Sequence, residues 1–144
     1  MLEYSVLMSI YIKDKAEYVD CAIKSMLNQT HKPEQYVIVE DGEISYDVQQ
    51  VLNNYSKNYP DLFTRVKLKN NKGLASALNE GLTYCRNELV ARMDSDDISL
   101  PDRCEKEVKL FEKNNRLIIC GTNVDEFYEN IDNIRTSRIV PEKY

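Results

Sequence analysis

Three aspartates lie close together in the segment 93–98: Asp94, Asp96 and Asp97. The segment follows directly on the apolar stretch 89–91, so the carboxylates come at the end of a predicted strand. Like charges this close repel one another unless a cation or the donor groups of a ligand balance them. Hard divalent cations take oxygen ligands, and Mg²⁺ is commonly held by one or two carboxylates together with substrate phosphates. The segment therefore predicts a metal and phosphate site, and the alternative is an acidic surface turn, since Asp and Ser are common turn residues.

The composition is that of a soluble globular domain. The chain has 144 residues, of which 42% are hydrophobic and 30% charged, which allows a real core and argues against disorder. The formal net charge of −5 argues against nucleic acid as a partner, because binding a phosphate backbone requires clustered Lys and Arg. An anionic ligand such as a nucleotide would need a cation to offset the repulsion, and the acidic segment offers a place for one.

The sequence contains neither a membrane-spanning stretch nor a paired-cysteine motif. No apolar run is long enough to cross a bilayer. The four cysteines, Cys21, Cys85, Cys104 and Cys120, are far apart, so we expect free thiols and a reduced, cytoplasmic compartment. The only histidine, His31, lies in a polar connection, and we expect an exposed loop residue rather than a ligand.

Two kinds of apolar segment alternate along the chain. Apolar runs predict buried strands over residues 4–11, 36–39, 89–93 and 117–120. Residues 63–68 alternate between apolar and polar side chains and predict a further strand, the third along the chain. Apolar residues at helical spacing between the strands predict helices with one buried face. In the third helix the predicted inward residues are Leu74, Ala77, Leu78, Leu82 and Cys85. This alternation predicts an α/β fold, with a mostly parallel sheet and helices on both of its faces.

Three signals predict where helices begin. Asp14 with Glu17 three residues later forms a capping box ahead of the first helix. Ser45 can cap the second helix, and Ser99 with Asp102 makes a similar signal ahead of the fourth.

Residues distant in sequence are expected to meet at one edge of the sheet. In open parallel sheets, ligands bind in the crevice beyond the carboxyl ends of the strands. Ser9 and Tyr11 end the first strand, Asp41 follows the second, and the segment 94–97 follows the fourth. Strand alternation also places Arg92 on the same side as the first aspartate of that segment, either as its ion-pair partner or as a phosphate ligand.

Five segments follow one another in an order typical of one enzyme family. They are residues 5–11, 25–30, 37–42, 71–81 and 92–97, the last followed by Pro101 and Arg103. Residues 4–121 resemble the N-terminal, donor-binding half of a family 2 glycosyltransferase of the GT-A type, whose fold is Rossmann-like. The first strand and the segment that begins at Arg92 are most similar to bacterial exopolysaccharide transferases of the amylovoran type.

The resemblance implies a nucleotide-diphosphate sugar as the ligand. Ser9 and Tyr11 match positions that line the nucleoside. Asp41 matches the acid that hydrogen-bonds the base, which would favour uracil. Lys72 and Gly73 match the loop that approaches the nucleotide.

The acidic segment matches the Asp-x-Asp motif of the family, and the resemblance implies Mn²⁺ or Mg²⁺ as the cofactor. Asp94 matches the first acid, expected near the ribose and the metal, and Ser95 lies beside it in the same nucleotide-binding segment. Asp96 matches the second acid, which holds the metal against both phosphates, and Asp97 could share that role. Glu40 stands where the family usually has Asp, a change that removes no metal ligand.

The implied reaction is inverting transfer of a sugar to a glycan or lipid-linked acceptor in polysaccharide biosynthesis, in the cytoplasm or at the inner face of the membrane. Transfer needs a general base to deprotonate the acceptor hydroxyl, and the family places it in the acceptor half. No candidate for it is found in this chain. Residues 1–121 are interpreted as the donor-binding core and residues 122–144 as the start of the acceptor side. We therefore expect the 144-residue chain to bind a donor and to transfer little sugar on its own.

Other functions could use the same residues. A nucleotide-binding module without turnover would share the whole site. A haloacid-dehalogenase-type phosphohydrolase would use Asp94 and Asp96 after a strand, although little chain follows them for the rest of such a site. A calcium loop would need glycine where Ser99 stands. A dinucleotide-binding domain would need a glycine-rich turn after the first strand, which the sequence lacks.

Overall fold

The structure is a computed structural model that describes residues 1–140. Four strands alternate with four helices in the first part of the chain. In chain order they are β1 Tyr4–Ile10, α1 Ala16–Leu27, β2 Gln35–Glu40, α2 Tyr46–Asn58, β3 Phe63–Lys67, α3 Leu74–Leu82, β4 Leu89–Arg92 and α4 Arg103–Lys113. A hairpin of β5 Val124–Tyr128 and β6 Asn130–Arg138 follows.

The first four strands form one parallel sheet in the order β3-β2-β1-β4. β1 is central, and its Leu7 lies beside Val37 of β2 on one side and Arg92 of β4 on the other. Because all four strands run in the same direction, the loops that follow them leave the sheet at a single edge, which we call the carboxyl edge. The predicted parallel α/β fold is confirmed.

Helices cover both faces of the sheet, as predicted. One cluster packs Val6, Met8 and Ile10 of β1 against buried residues of α1, α2 and α4. A smaller cluster on the other face packs Leu7 of β1 against Ala77 of α3. The alternation of side chains along β1 thus divides its residues between two cores.

α3 packs closer to the sheet than its leucines predict. Its buried residues are Ala77 and Gly81, one helical turn apart, whereas Leu74 and Leu82 are 52% and 48% exposed. A Cβ atom at Gly81 would lie 2.5 Å from a methyl of Leu7. The prediction that Leu74 and Leu82 point inward is therefore wrong, because two small residues let the helix backbone approach the sheet.

The predicted fifth strand is absent from the described residues. Residues 117–120 are irregular, and Ile118 and Ile119 are 92% and 78% exposed. Within residues 1–140 no strand pairs with the outer side of β4. The next strands in the chain, β5 and β6, pair antiparallel with each other instead. A short apolar run does not distinguish a strand from an irregular segment, since pairing depends on a partner that the run does not encode.

One of the three predicted helix caps is confirmed. The Oγ of Ser45 accepts a hydrogen bond from the backbone N–H of Val48. Asp14 does not cap α1, because the helix begins after Lys15 and the carboxylate is engaged elsewhere. Ser99 does not cap α4 either, since that helix begins after Asp102.

All four cysteines are free thiols, and none of the helices within residues 1–140 combines the length and apolar character needed to cross a bilayer. His31 is half-buried rather than exposed, with its Nε2 2.8 Å from the carbonyl oxygen of Leu2.

Candidate functional site

The carboxyl edge brings together the loops that follow β1, β2, β3 and β4. The loop after β2 contains Asp41, and the loop after β4 contains the aspartates of residues 94–97. Only β1 separates those two strands in the sheet. The two acidic elements therefore lie at the same edge, and hydrogen bonds connect the loops around them.

Asp41 links the loop after β2 to the loop after β3. Its carboxylate is 3% exposed, with Oδ1 accepting from the Lys72 N–H at 2.7 Å and Oδ2 from the Gly73 N–H at 3.0 Å. The side chain of Asn71 also donates to the Asp41 carbonyl oxygen at 3.2 Å. Both oxygens of this carboxylate thus accept hydrogen bonds from the backbone of the loop that is predicted to lie near a nucleotide.

Two glycines allow those loops to meet. Gly42 and Gly73 have φ angles of +83° and +84°, values that side chains rarely permit. A Cβ atom at Gly42 would also lie 2.7 Å from the backbone nitrogen of Asn71. Glycine is therefore required directly after Asp41 for the β3 loop to approach it.

The turn after β1 supplies a second carboxylate that links two loops. It belongs to Asp14, for which the sequence predicts a helix cap. Asp14 Oδ2 accepts from the N–H of Tyr11 at 2.8 Å, and Oδ1 accepts from the hydroxyl of Ser95 at 2.9 Å. Ser95 is buried, Tyr11 is 42% exposed, and Ser9 is half-buried one residue before the end of the strand. Asp14 thus connects the turn after β1 to the middle of the acidic segment.

Carboxylates are crowded enough at this edge to affect one another. Burial raises the pKa of Asp14, and the charges of Asp96 and Asp94 raise it further, against the two hydrogen bonds that lower it. Burial also raises the pKa of Asp97, together with the charges of Asp94 and Asp96, while nearby arginines lower it. Asp94 itself forms an ion pair with Arg92, as the strand alternation predicted. The site is therefore a region of negative charge in which Arg92 forms an ion pair with Asp94 and Arg103 also lies near Asp97.

The donor atoms at the acidic segment are those that a hard divalent cation prefers. Carboxylate oxygens of Asp94, Asp96 and Asp97 lie in one short loop, beside the hydroxyl of Ser95. Within residues 1–140, no three acidic, histidine or cysteine side chains lie close enough to form a ready-made metal site. Asp96 is exposed, and Asp97 is also solvent-accessible although its surroundings partly desolvate the carboxyl group.

Glu40, which departs from the family pattern, has a structural partner. Its Oε1 lies 2.6 Å from Nη2 of Arg65 on β3, and both side chains are largely buried. The longer glutamate therefore forms an ion pair across the sheet and does not extend into the loops.

A sequence profile described as glycosyl transferase family 2 matches residues 5–144. The chain is 39% identical over 140 residues to an uncharacterized glycosyltransferase of Haemophilus influenzae, a match that covers 97% of this chain and 52% of the relative. It is 38% identical over 127 residues to the amylovoran biosynthesis glycosyltransferase AmsE of Erwinia amylovora, covering 88% of this chain and 47% of that protein.

A third relative carries a donor and an acceptor in its name. It is the UDP-Gal:alpha-D-GlcNAc-diphosphoundecaprenol beta-1,3-galactosyltransferase of Escherichia coli, which is 37% identical over 130 residues. That match covers 89% of this chain and 46% of the relative. The chain spans about half the length of the curated relatives it matches.

Solved structures of low sequence identity share the fold. TarS 1-349 of S. aureus in complex with UDP-GlcNAc superposes with a TM-score of 0.67 at 19% identity, covering 79% of this chain and 32% of that one. The mannosyltransferase PcManGT of Pyrobaculum calidifontis, in complex with GDP-Man and Mn²⁺, gives a TM-score of 0.66 at 21% identity. That match covers 76% of this chain and 32% of the mannosyltransferase.

Proposed function

The chain belongs to glycosyl transferase family 2 and has the GT-A fold, and we propose that its carboxyl edge binds a nucleotide-diphosphate sugar. In this proposal the chain is the donor-binding part of a metal-dependent, inverting glycosyltransferase. The observation that carries it is the linkage of four loops at one edge. Asp41 joins the loops after β2 and β3, and Asp14 joins those after β1 and β4.

The nucleoside is assigned to the side of the site formed by β1 and β2. Ser9 lies one residue before the end of β1 and Tyr11 directly follows β1, and the exposed Tyr11 offers a ring surface against which a base can pack. Asp41 is assigned to the base, and Lys72 and Gly73 to the nucleotide. Because both oxygens of Asp41 already accept backbone N–H groups, a base would use a remaining lone pair of that carboxylate.

The diphosphate is assigned to the acidic segment through a divalent cation, Mn²⁺ or Mg²⁺. Asp94, Asp96 and Asp97 would hold the ion, and Ser95 and Asp14 would keep their loop in place. When bound, such an ion neutralises the diphosphate and stabilises charge on the leaving group. Without it the carboxylates would repel the phosphates, because like charges repel at close range.

A UDP-sugar is the proposed donor. The galactosyltransferase relative is named for UDP-Gal, and one structural neighbour was solved with UDP-GlcNAc. Another neighbour was solved with GDP-Man, so the fold alone does not select the base. The carboxylate of Asp41 is compatible with uracil, whose imide N–H it could accept, and the relative named for UDP-Gal supports that base.

The acceptor is proposed to be a glycan or a lipid-linked glycan of a bacterial polysaccharide, used at the cytoplasmic side of the membrane. Relatives named for amylovoran and for a diphosphoundecaprenol acceptor support this. Residues 1–121 form the donor core in this proposal, and residues 122–144 begin the acceptor side. The general base is assigned to the part of the longer relatives that this chain does not cover. Family membership favours this function over the phosphohydrolase that also places two aspartates after a strand.

Calorimetric titration with UDP, with and without Mn²⁺, tests the proposal on the chain and on Asp96→Asn. We expect binding that requires the metal and is largely lost in the variant. Asp61→Asn is the matched control, since Asp61 is exposed in the turn before β3, at the opposite edge of the sheet. GDP, CDP and TDP in the same assay measure the preference for the base. Equal UDP binding with and without metal, or in Asp96→Asn, would overturn the metal assignment.

A further inference from the structure

Gln29 is a buried amide that bonds to the segment after the acidic loop. It follows α1 directly after Asn28 and is 1% exposed. Its Nε2 donates to the carbonyl oxygen of Leu100 at 2.8 Å and lies 3.2 Å from Oγ of Ser99. Its Oε1 accepts from the backbone N–H of Cys104 at 2.9 Å, in the first turn of α4. One side chain thus fixes both ends of the connection that leads from the acidic segment into α4.

Two neighbours on the same end of α1 add further bonds. Oγ of Ser25 accepts from the N–H of Ser99 at 3.1 Å. The N–H of Thr30 donates to the carbonyl oxygen of Pro101 at 2.8 Å, and its hydroxyl donates to Glu105 at 2.6 Å. We call Ser25, Gln29 and Thr30 the α1 clamp.

The α1 clamp is one of the two anchors of the acidic segment. At the other end, the N–H of Met93 donates to the carbonyl oxygen of Leu7 at 3.0 Å, which holds the segment to the sheet. Residues 94–98 lie between these anchors outside any helix or strand, and the Ser95–Asp14 bond contacts their middle. The carboxylates repel one another, so the loop that carries them would spread if one anchor were lost.

We propose that Gln29 is a positioning residue for the acidic segment: by holding Ser99, Leu100 and Cys104, it sets where the carboxylates of residues 94–97 stand. The proposal rests on the proposed function in so far as those carboxylates receive a cation and a nucleotide. A glutamine suits the position because its amide donates and accepts at once without adding charge. A glutamate there could accept from Cys104 but could not donate to Leu100, and it would add a negative charge close to the aspartates.

A second buried glutamine provides a matched control. Gln35, the first residue of β2, is 2% exposed, and its amide makes four hydrogen bonds. Its partners are Ser5, Thr64, Tyr84 and Arg86. None of these four belongs to the acidic segment or to the connection from it into α4, so Gln35→Met removes a similar set of bonds without touching that connection.

Amide hydrogen exchange tests the clamp without any ligand. The reporter is the N–H of Ser99, which bonds to Ser25 and is retained in both variants. We expect its exchange to become about tenfold faster in Gln29→Met, because the connection around Ser99 loses buried hydrogen bonds that hold it closed. We expect no change in Gln35→Met. Equal exchange rates at Ser99 in Gln29→Met and the unmodified chain would overturn the proposal.

Titration of UDP with Mn²⁺ tests the consequence for the site. We expect about tenfold weaker binding in folded Gln29→Met and unchanged binding in Gln35→Met, even where the two variants unfold at the same temperature. Equal weakening in both variants would show a general loss of stability and would overturn the positioning role. If Gln29→Met does not fold, Gln29→Glu, which keeps the acceptor for Cys104 and loses the donor to Leu100, carries the same two measurements with the Ser25–Ser99 bond intact.

The two tests separate the two proposals. If the unmodified chain binds no UDP with Mn²⁺, the proposed function fails, and the exchange rate at Ser99 still decides whether Gln29 holds the segment. If UDP binds and Gln29→Met changes neither measurement, only the positioning role fails.

Discussion

Replacing Asp41 by asparagine tests whether its carboxylate organises the carboxyl edge. The substitution preserves the shape of the side chain and removes its charge. In the native chain the two oxygens accept from the N–H groups of Lys72 and Gly73, at a position that is 3% exposed. An asparagine can accept from one of these groups, but its NH₂ then faces the other N–H.

The expected cost follows from these two bonds. Hydrogen bonds to charged groups contribute about 1.5–3 kcal/mol each, and a buried donor left without an acceptor adds its desolvation penalty. Asp41→Asn loses one such bond completely and weakens the other. We therefore expect the free energy of unfolding to fall by about 2–3 kcal/mol, which is about 30- to 150-fold in the unfolding equilibrium.

Denaturant unfolding monitored by circular dichroism measures this loss, with Asp61→Asn as the control. The control removes an exposed carboxylate at the opposite edge and should stay within about 0.5 kcal/mol of the unmodified chain. The dependence on denaturant should be the same for all three proteins, since the folds are the same. A loss below about 0.5 kcal/mol in Asp41→Asn would refute the reasoning, because the β3 loop would then hold its position without that carboxylate.

Three further substitutions test the packing and the ion pairs. Gly81→Ala places a methyl group against side chains of β1 and β2 and should lower the free energy of chemical unfolding by about 1–3 kcal/mol. Gly121→Ala, with nothing within 4 Å of the new methyl group, should be nearly neutral. Equal effects of the two substitutions would contradict the close approach of α3. Burial raises the pKa of Asp20, but hydrogen bonds from a lysine and from Tyr55 outweigh it and hold the pKa below its usual range. The stabilisation is therefore present at neutral pH and is lost as the pH falls through the lowered pKa. Tyr55→Phe should lower the free energy of unfolding by about 1 kcal/mol at pH 7 and by progressively less in acid. A loss that stays constant with pH would contradict this. Glu40→Gln leaves a buried arginine without its counter-charge and should cost about 3–5 kcal/mol in thermal or chemical unfolding, and a cost below about 1 kcal/mol would show that the pair is dispensable.

The elements whose determinants are local could be predicted from the sequence. β1, β2 and β4 follow apolar runs and β3 follows an alternating segment, and Ser45 caps α2 through a backbone group three residues away. The alternation of strands and helices then predicts a parallel sheet, and a parallel sheet gathers the loops that carry Asp41 and the acidic segment at one edge. Those inferences depend on periodicity and handedness, which act over short distances in sequence.

The residues that were misassigned make contacts far away in sequence. Asp14 has the local signature of a cap, yet its carboxylate accepts from Ser95, 81 residues later. Ser99 has a similar signature, yet its N–H donates to Ser25, 74 residues earlier. Both residues thus bond to partners that are brought near only when the chain folds. In α3, Leu82 lies at the helical spacing expected of an inward residue. Gly81 nevertheless faces the sheet, because the helix and strand backbones approach too closely there for a larger side chain.

The unpaired outer side of β4 has a practical consequence for handling this protein. The strand contributes Leu89, Val90 and Ala91 to a sheet that ends with it in the described part of the chain, and Ile118 and Ile119 stand exposed nearby. Free N–H and C=O groups along a strand edge act as a template for self-association, and exposed apolar side chains beside them strengthen that tendency. Solubility and yield on expression should thus respond to charged substitutions of the exposed residues on this margin, such as Ile118→Lys, well before they respond to changes in the donor loops.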